Sequence, residues 1–254
     1  MGFRTFIAAV ALTFAAQVAG AQEGGLRVLS SNGMKAVLDD LRPQIERELG
    51  KPVSIEFGTT AGLRQKIAAG EVFDVAILTT EAITALASDG AIAAPSVGAL
   101  GRSGIGVAVR AGAPKPAVGT PDELKRALLA AKSLTWVGVG ASRPGIERML
   151  ETLGITADVQ PKITLAASVE AANESVAAGR VDIALTLASE IIPAPELTYA
   201  GPLPADLQSY VSFAAGVAAK STAPKEAARV VESLRSSAAA ATYQANGMEL
   251  AIAR

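Results

Sequence analysis

The 254-residue sequence contains no cysteine and no histidine, a single tryptophan, and only 4% aromatic residues. Each absence removes a class of function. Without cysteine there is no disulfide scaffold, so packed apolar side chains must hold the fold unaided. Without histidine or cysteine the usual transition-metal ligands are missing, and only hard oxygen donors remain for a cation such as Ca²⁺. A histidine base and a cysteine nucleophile are excluded, which leaves carboxylates, lysine, tyrosine and serine for any catalytic chemistry. No metal and no cofactor are expected. Net charge is scarce too, since 23 basic residues face 24 acidic ones. So balanced a chain offers no field for nucleic acid or an anionic membrane surface, and its partners are expected to be small molecules.

What is present is an apolar half built mainly from Ala, Val, Leu and Ile. That is the palette of buried strands and packed helices. At roughly 150 residues per domain, the length favours two lobes over one. The first residues belong to a different category. Arg4 supplies a short positive region, Phe6 to Ala16 an apolar run, and Ala19-Gly20-Ala21 a small-residue cleavage site. The run is too short and too Ala-rich for a spanning helix, which needs about 20 strongly apolar residues. Residues 1–21 therefore read as a signal peptide, and a soluble periplasmic protein beginning at Gln22 is expected. Its loss removes Arg4 and no acid, leaving 22 basic against 24 acidic residues.

Apolar runs of strand length alternate with segments of helical period, the pattern of βαβ units and a mostly parallel sheet. The predicted strands are Arg27–Leu29, Val53–Phe57, Val75–Leu78, Gly104–Val109, Leu134–Val139, Ile163–Leu165, Val181–Leu187 and Tyr210–Ala218. Between the first two, residues 34–49 place Val37, Leu38, Leu41, Ile45 and Leu49 on one helical face, and Gly50 and Pro52 end the helix. Thr120, Pro121, Asp122 and Glu123 form a helix start, and Ala223–Leu234 and the segment from Ala238 read as closing helices. No Gly/Ser linker separates two lobes. Extended segments must then join them, and Gly104–Arg110 and the region around Tyr210–Val217 are the candidates.

Hydroxyls recur where strands hand over to helices. Ser30-Ser31-Asn32-Gly33, Gly58-Thr59-Thr60, Thr79-Thr80, Gly140-Ala141-Ser142, and Thr186 with Ser189 all follow predicted strands. In an open α/β sheet these ends converge on one edge, where ligands bind. Helix N-termini carry unpaired N–H groups and partial positive charge, and hydroxyls add donors without a competing counter-ion, so the pattern suits a small anion. Each Ser or Thr also has a plain structural use as an N-cap worth about 1 kcal/mol. Paired hydroxyls exceed that use, because one cap needs one side chain.

The stretch "LRVLSSNGMKAVLDDLRPQIERELG", continuing through "FGTTAGLRQKIAAGEVFDVAILTTEAITAL", resembles the amino-terminal half of the periplasmic molybdate-binding type of solute-binding protein, and "APKEAARVVESLRSS" is similar to that family's closing helix. The resemblance implies a two-lobed α/β fold of the periplasmic-binding-protein kind, two doubly wound mixed sheets joined by two crossing strands, with lobe 1 formed by 22–104 and 213–254 and lobe 2 by 105–212. It implies a small anion, carboxylate or molybdate-like, held by hydroxyls and backbone amides, delivery to a membrane ABC importer, and a monomer. Carried over by residue, Ser31 matches the first-turn serine and Thr59 or Thr60 the second-turn position. The candidate ligand residues are thus Ser30, Ser31, Asn32, Thr59, Thr60, Thr79, Ser142, Arg143 and Thr186.

The sequence departs from the pattern in three places. Threonines replace serines at the second turn, no aromatic lies near Thr186, and Arg143 stands beside Ser142. Arg143, next to Pro144 at a helix start, is either a solvated surface residue or a bidentate carboxylate clamp at the cleft mouth. "VLSSNG" and "RAGAPKP" are also similar to aconitate isomerase. An isomerase shifting a proton between the cis and trans isomers needs a positioned acid/base, for which Glu81 and Glu190 are the candidates; each is equally placed to be an exposed helix residue. Binder and isomerase both stand open at this level.

Overall fold

The computed structural model describes residues 24–251, so the expected signal peptide lies outside the described residues. From the amino-terminal side the chain forms β1 (Leu26–Ser31), α1 (Lys35–Leu49), β2 (Val53–Gly58), α2 (Thr60–Ala68), β3 (Val75–Thr79), α3 (Thr80–Ser88) and β4 (Gly98–Arg110). There follow α4 (Pro121–Ala130), β5 (Leu134–Val137), α5 (Arg143–Leu153), α6 (Thr156–Val159), β6 (Ile163–Ala166), α7 (Val169–Ala177), β7 (Ile183–Leu187) and α8 (Ala188–Ile191). The chain closes with β8 (Leu197–Pro202), β9 (Tyr210–Val217), α9 (Pro224–Arg235), α10 (Ala240–Ala245) and β10 (Glu249–Leu250). Among the described residues no helix is long and apolar enough to cross a membrane.

The predicted α/β class holds, with mixed sheets and helices on their faces. In the first sheet β2, β1 and β3 run parallel, and β9 pairs antiparallel with both β3 and β4. In the second, β6, β5 and β7 run parallel, and β4 is antiparallel to β7 and β8. The long strand β4 joins the two. Its residues from Gly98 to Gly104 pair with β9, and its residues from Ile105 onward pair with β7 and β8.

The return crossing lies just before the predicted region. β9 belongs wholly to the first sheet, and the chain comes back through residues 203–209. Ile105 ties the crossings together: its N–H donates to the Ser209 carbonyl and the Gln208 Oε1 (3.2 and 2.9 Å), and its carbonyl accepts from the N–H of Leu203 and Gln208 Nε2 (3.1 and 3.0 Å). These bonds satisfy every backbone polar group of a buried residue at the point where the strand changes sheets.

Local chemistry explains the helices. α1 buries Val37, Leu38 and Ile45, with Leu41 and Leu49 packed against the same cluster. α4 begins with a reciprocal capping box in which Thr120 Oγ1 accepts from Glu123 N–H and the Glu123 carboxylate accepts from Thr120 N–H. The principal core runs through both halves, from Leu26, Val28 and Phe213 to Leu134, Trp136 and Ile146. A second cluster around Leu63, Phe73, Ile83 and Leu86 seats α2 and α3. Burial of such side chains contributes about 1.5–3 kcal/mol each, which is what allows a cysteine-free chain to hold its shape. The carboxyl ends of β1, β2, β3, β5 and β7 consequently open onto one cleft.

Candidate functional site

Two connected spaces fill that cleft. The inner one, about 360 Å³, is lined by Ser31, Asn32, Thr59, Thr60, Ser142, Thr186 and Glu190, with backbone from Gly58, Gly140 and Ala141 between them. The outer mouth, about 1210 Å³, is lined by Thr60, Arg64, Thr79, Glu81, Ser142, Arg148 and the returning segment at Ser209, Tyr210 and Ser212. Thr60, Ala141 and Ser142 belong to both walls.

Six of the nine predicted ligand residues thus meet in the inner cavity, and Thr79 stands at its mouth. Two do not. Ser30 is fully buried and its hydroxyl turns to the Ser31 carbonyl (3.3 Å). That follows from strand alternation, because a residue directly before an inward-facing Ser31 points to the other face of β1. Arg143 donates from Nη1 to the Gly138 carbonyl (2.6 Å) and from Nε to the Glu147 carboxylate (2.7 Å), and it lines neither space. The predicted clamp is occupied by its own turn.

The hydroxyls divide by use. Thr59 Oγ1 caps α2 by accepting from Gly62 N–H (3.1 Å), and Thr79 Oγ1 caps α3 by accepting from Ala82 N–H (3.4 Å). Ser31 and Ser142 make no side-chain capping bond, although each precedes a helical turn. Thr60 donates to Ser31 Oγ (3.3 Å), so these two hydroxyls meet only each other. Ser31 and Ser142 are 6% and 5% exposed, so both would lose their remaining water when the cavity fills. Three hydroxyls stand ready for an acceptor.

Glu190 is the chemically unusual group. Its carboxylate accepts from Thr186 Oγ1, itself buried, and from the Leu187 backbone. Burial pushes its pKa up to about 7, against the opposing pull of those two hydrogen bonds, and nearby Glu170 adds to the rise. The group therefore changes protonation near neutrality inside the cavity. Glu81, in contrast, is exposed at the mouth.

Sequence reasoning missed Arg64 and Arg148. Arg64 lies four residues after Thr60 on α2, and Arg148 four after Pro144 on α5, so helical spacing from cavity residues carried the signal. Ser209 and Ser212 were hidden by the misplaced return crossing. Among the described residues no cluster of three or more acidic side chains able to hold a metal is found.

The comparisons with known proteins agree with this architecture. The periplasmic molybdate-binding protein of Azotobacter vinelandii superposes with a TM-score of 0.75 at 20% identity, covering 89% of this chain and 99% of that one. The sulfate-binding protein of Mycobacterium tuberculosis gives 0.70 at 16%, covering 89% and 86%. In sequence, the chain is 26% identical over 233 residues to an aconitate isomerase from a Pseudomonas species, spanning 88% of this chain and 87% of that protein. Because residues 26–249 match the family model for the bacterial extracellular solute-binding protein, nearly the whole of the described chain included, the protein belongs to that family.

Proposed function

We propose that this protein is a periplasmic binder of a small anion, either a carboxylate or a molybdate-like oxyanion, which it passes as a monomer to an ABC-type importer. The single observation that carries the reading is the inner cavity, where Ser31, Thr60 and Ser142 are nearly dry and committed to no helix cap. Uncharged donors and backbone amides at strand ends recognise an anion without bringing a counter-ion of their own. In this reading residues 22–104 with 213–254 and residues 105–212 act as the two jaws, and the ligand sits between them. Membership in an extracellular solute-binding family and structural neighbours named for molybdate and sulfate binding support it.

The test is a thermal-shift and calorimetry panel of sulfate, molybdate and small carboxylates with the wild type and a Ser31→Ala/Thr60→Ala double variant. At least one anion should raise the melting temperature, since a ligand of the folded state alone stabilises it by RT ln(1 + [L]/Kd). The double variant should lose at least tenfold in affinity for it, two hydrogen bonds to a charged group being worth about 1.5–3 kcal/mol each. No response from the wild type to any of these anions would sink the reading.

Glu190 favours a second function. A carboxyl poised near pH 7 in the cavity could take a proton from the methylene carbon of aconitate and return it to the far end of the shifted double bond, which interconverts the isomers without redox chemistry. The sequence relative named aconitate isomerase supports this reading. Incubation with cis-aconitate followed by NMR decides between the two. Formation of the trans isomer, abolished by Glu190→Gln, makes the protein an isomerase; a static spectrum leaves it a binder.

A further inference from the structure

The inner cavity and the outer mouth are continuous, and their chemistry differs. The inner walls offer neutral hydroxyls and Glu190. The mouth offers two guanidinium groups, and they come from opposite jaws. Arg64 stands on α2, which follows β2 of the first sheet, and Arg148 on α5, which follows β5 of the second. Both side chains are exposed, and neither makes an ion pair or side-chain hydrogen bond among the described residues, in contrast to Arg143 a few residues away. Glu81 is the one acid lining this mouth, so the arginines outnumber it.

We infer that Arg64 and Arg148 form a second anchor for the ligand, and that the ligand is an elongated polycarboxylate with one carboxylate among Ser31, Thr60 and Ser142 and another held between the two arginines. The inference rests on the anion-binding reading above and narrows its ligand class. A compact tetrahedral oxyanion seated in the inner cavity leaves the mouth unfilled. A carboxylate spaced several carbon–carbon bonds from the first reaches it, and the planar fork of arginine matches a carboxylate with two parallel hydrogen bonds. A group bridging arginines from both jaws would also tie the jaws together, so that closure removes the water that otherwise makes exposed ion pairs weak. Preference among anions would then be set at the mouth rather than in the hydroxyl cavity.

The test uses tricarballylate, a saturated tricarboxylate that no double-bond shift can alter, with acetate, sulfate and molybdate as compact comparators. Calorimetry on the wild type should give tricarballylate at least tenfold tighter binding than any comparator. An Arg64→Gln/Arg148→Gln variant should keep the ligand-free melting temperature, lose about tenfold for tricarballylate, change less than twofold for the compact anions, and show a flatter dependence on ionic strength. If a compact anion binds as well as tricarballylate, or if the double variant binds tricarballylate within twofold of the wild type, the second anchor is overturned while anion binding stands. If no anion of the four binds, the underlying reading fails and the anchor with it.

Discussion

The turn after β2 and the turn after β5 line the same cavity from opposite sheets, and each hands a strand to a helix. They spend their side chains differently. After β2, Thr59 caps α2 and thereby leaves Thr60 to meet Ser31 across the cavity. After β5, no side chain caps α5: Ser142 makes no such bond, and Arg143 is drawn back to the Gly138 carbonyl and Glu147. One turn divides capping and ligand duty between two threonines, whereas the other leaves a helix end bare with a nearly dry serine beside it. A missing cap costs a helix about 1 kcal/mol. Such a cost is tolerable where orphan N–H groups and a spare hydroxyl have an anion to meet.

The largest expected effect comes from breaking the β5 turn outright. Gly145 sits in the first turn of α5, and a Cβ there would lie 2.7 Å from both Ile105 Cδ1 and Ser209 Cβ, at the junction where the two crossings meet. Gly145→Val should therefore push α5 off the junction, costing about 3 kcal/mol. For a chain of this length that is roughly a 6–12 °C drop in melting temperature. Calorimetric unfolding checks it, and a melting temperature within 2 °C of wild type would show that α5 has room to shift.

Next in size is the acid between the two turns. Glu190 titrates near 7 in the folded protein against an ordinary value of 4.5, so the folded state holds its proton more tightly than the unfolded chain. The sign follows from linkage: Glu190 costs the fold nothing below about pH 4.5, and stability falls as pH rises through 7 and the buried group must ionise. Allowing for solvent near a partly exposed residue, the loss is of the order of 1–2 kcal/mol. Glu190→Gln should flatten melting temperature against pH across that window and be more stable than wild type at pH 8. The same ionisation places a negative charge in the cavity, so wild-type affinity for an anion should weaken above pH 7 and that of Glu190→Gln should not. Parallel pH profiles for the two proteins would contradict the assignment.

A paired substitution sharpens the contrast between the turns directly. Ser142→Ala removes a hydroxyl with no capping bond, so ligand affinity should fall about tenfold with the melting temperature nearly unchanged. Thr59→Ala removes a cap, so stability should fall by about 1 kcal/mol while affinity changes little. Thermal melts and calorimetry on both variants separate the roles. If the two behave alike, capping and ligand duty are not divided.

Much of this was legible in the sequence because periodicity and strand-end chemistry are local. The predicted strands through β7 and the face of α1 followed from spacing alone. β8 and the first half of β4 were not found, for a common reason: "LTYAGP" carries Pro and Gly, and "GALGRSG" is glycine-rich, both of which read as loop. In β4 the glycines serve close packing that no local pattern shows; at Gly101 an added Cβ would lie 2.9 Å from Tyr243 Cε1 on a helix more than 140 residues away. β10, two residues long, is too short for any period. In the site, hydroxyls at strand ends were visible, but which of them cap and which stay free depends on the geometry of each turn. The burial of Glu190 depends on α7 and α8 closing over it, and the convergence of Arg64 with Arg148 on two sheets that only tertiary structure brings together.

Arg143 carries the smallest expected effect and the clearest lesson about reading a charge from its neighbours in sequence. Its position beside Ser142 and Pro144 suggested a carboxylate clamp, and the structure spends the guanidinium on Gly138 and Glu147 instead. The Glu147 pair is an i,i+4 contact with side chains 40% and 46% exposed, so solvent and salt screen it, and such pairs contribute about 0.3–0.5 kcal/mol. The bond to the Gly138 carbonyl has more structural weight, since it ties the end of β5 to the start of α5 across the bare helix terminus. Arg143→Ala should accordingly lower stability by no more than about 1 kcal/mol and leave the affinity for sulfate, molybdate and tricarballylate within twofold of wild type. Arg143→Lys should do the same to affinity, because an ammonium loses only the double attachment to the turn. A tenfold loss of tricarballylate binding in either variant would mean that the side chain swings into the cleft when the jaws close, and would put a charged clamp on the β5 turn after all.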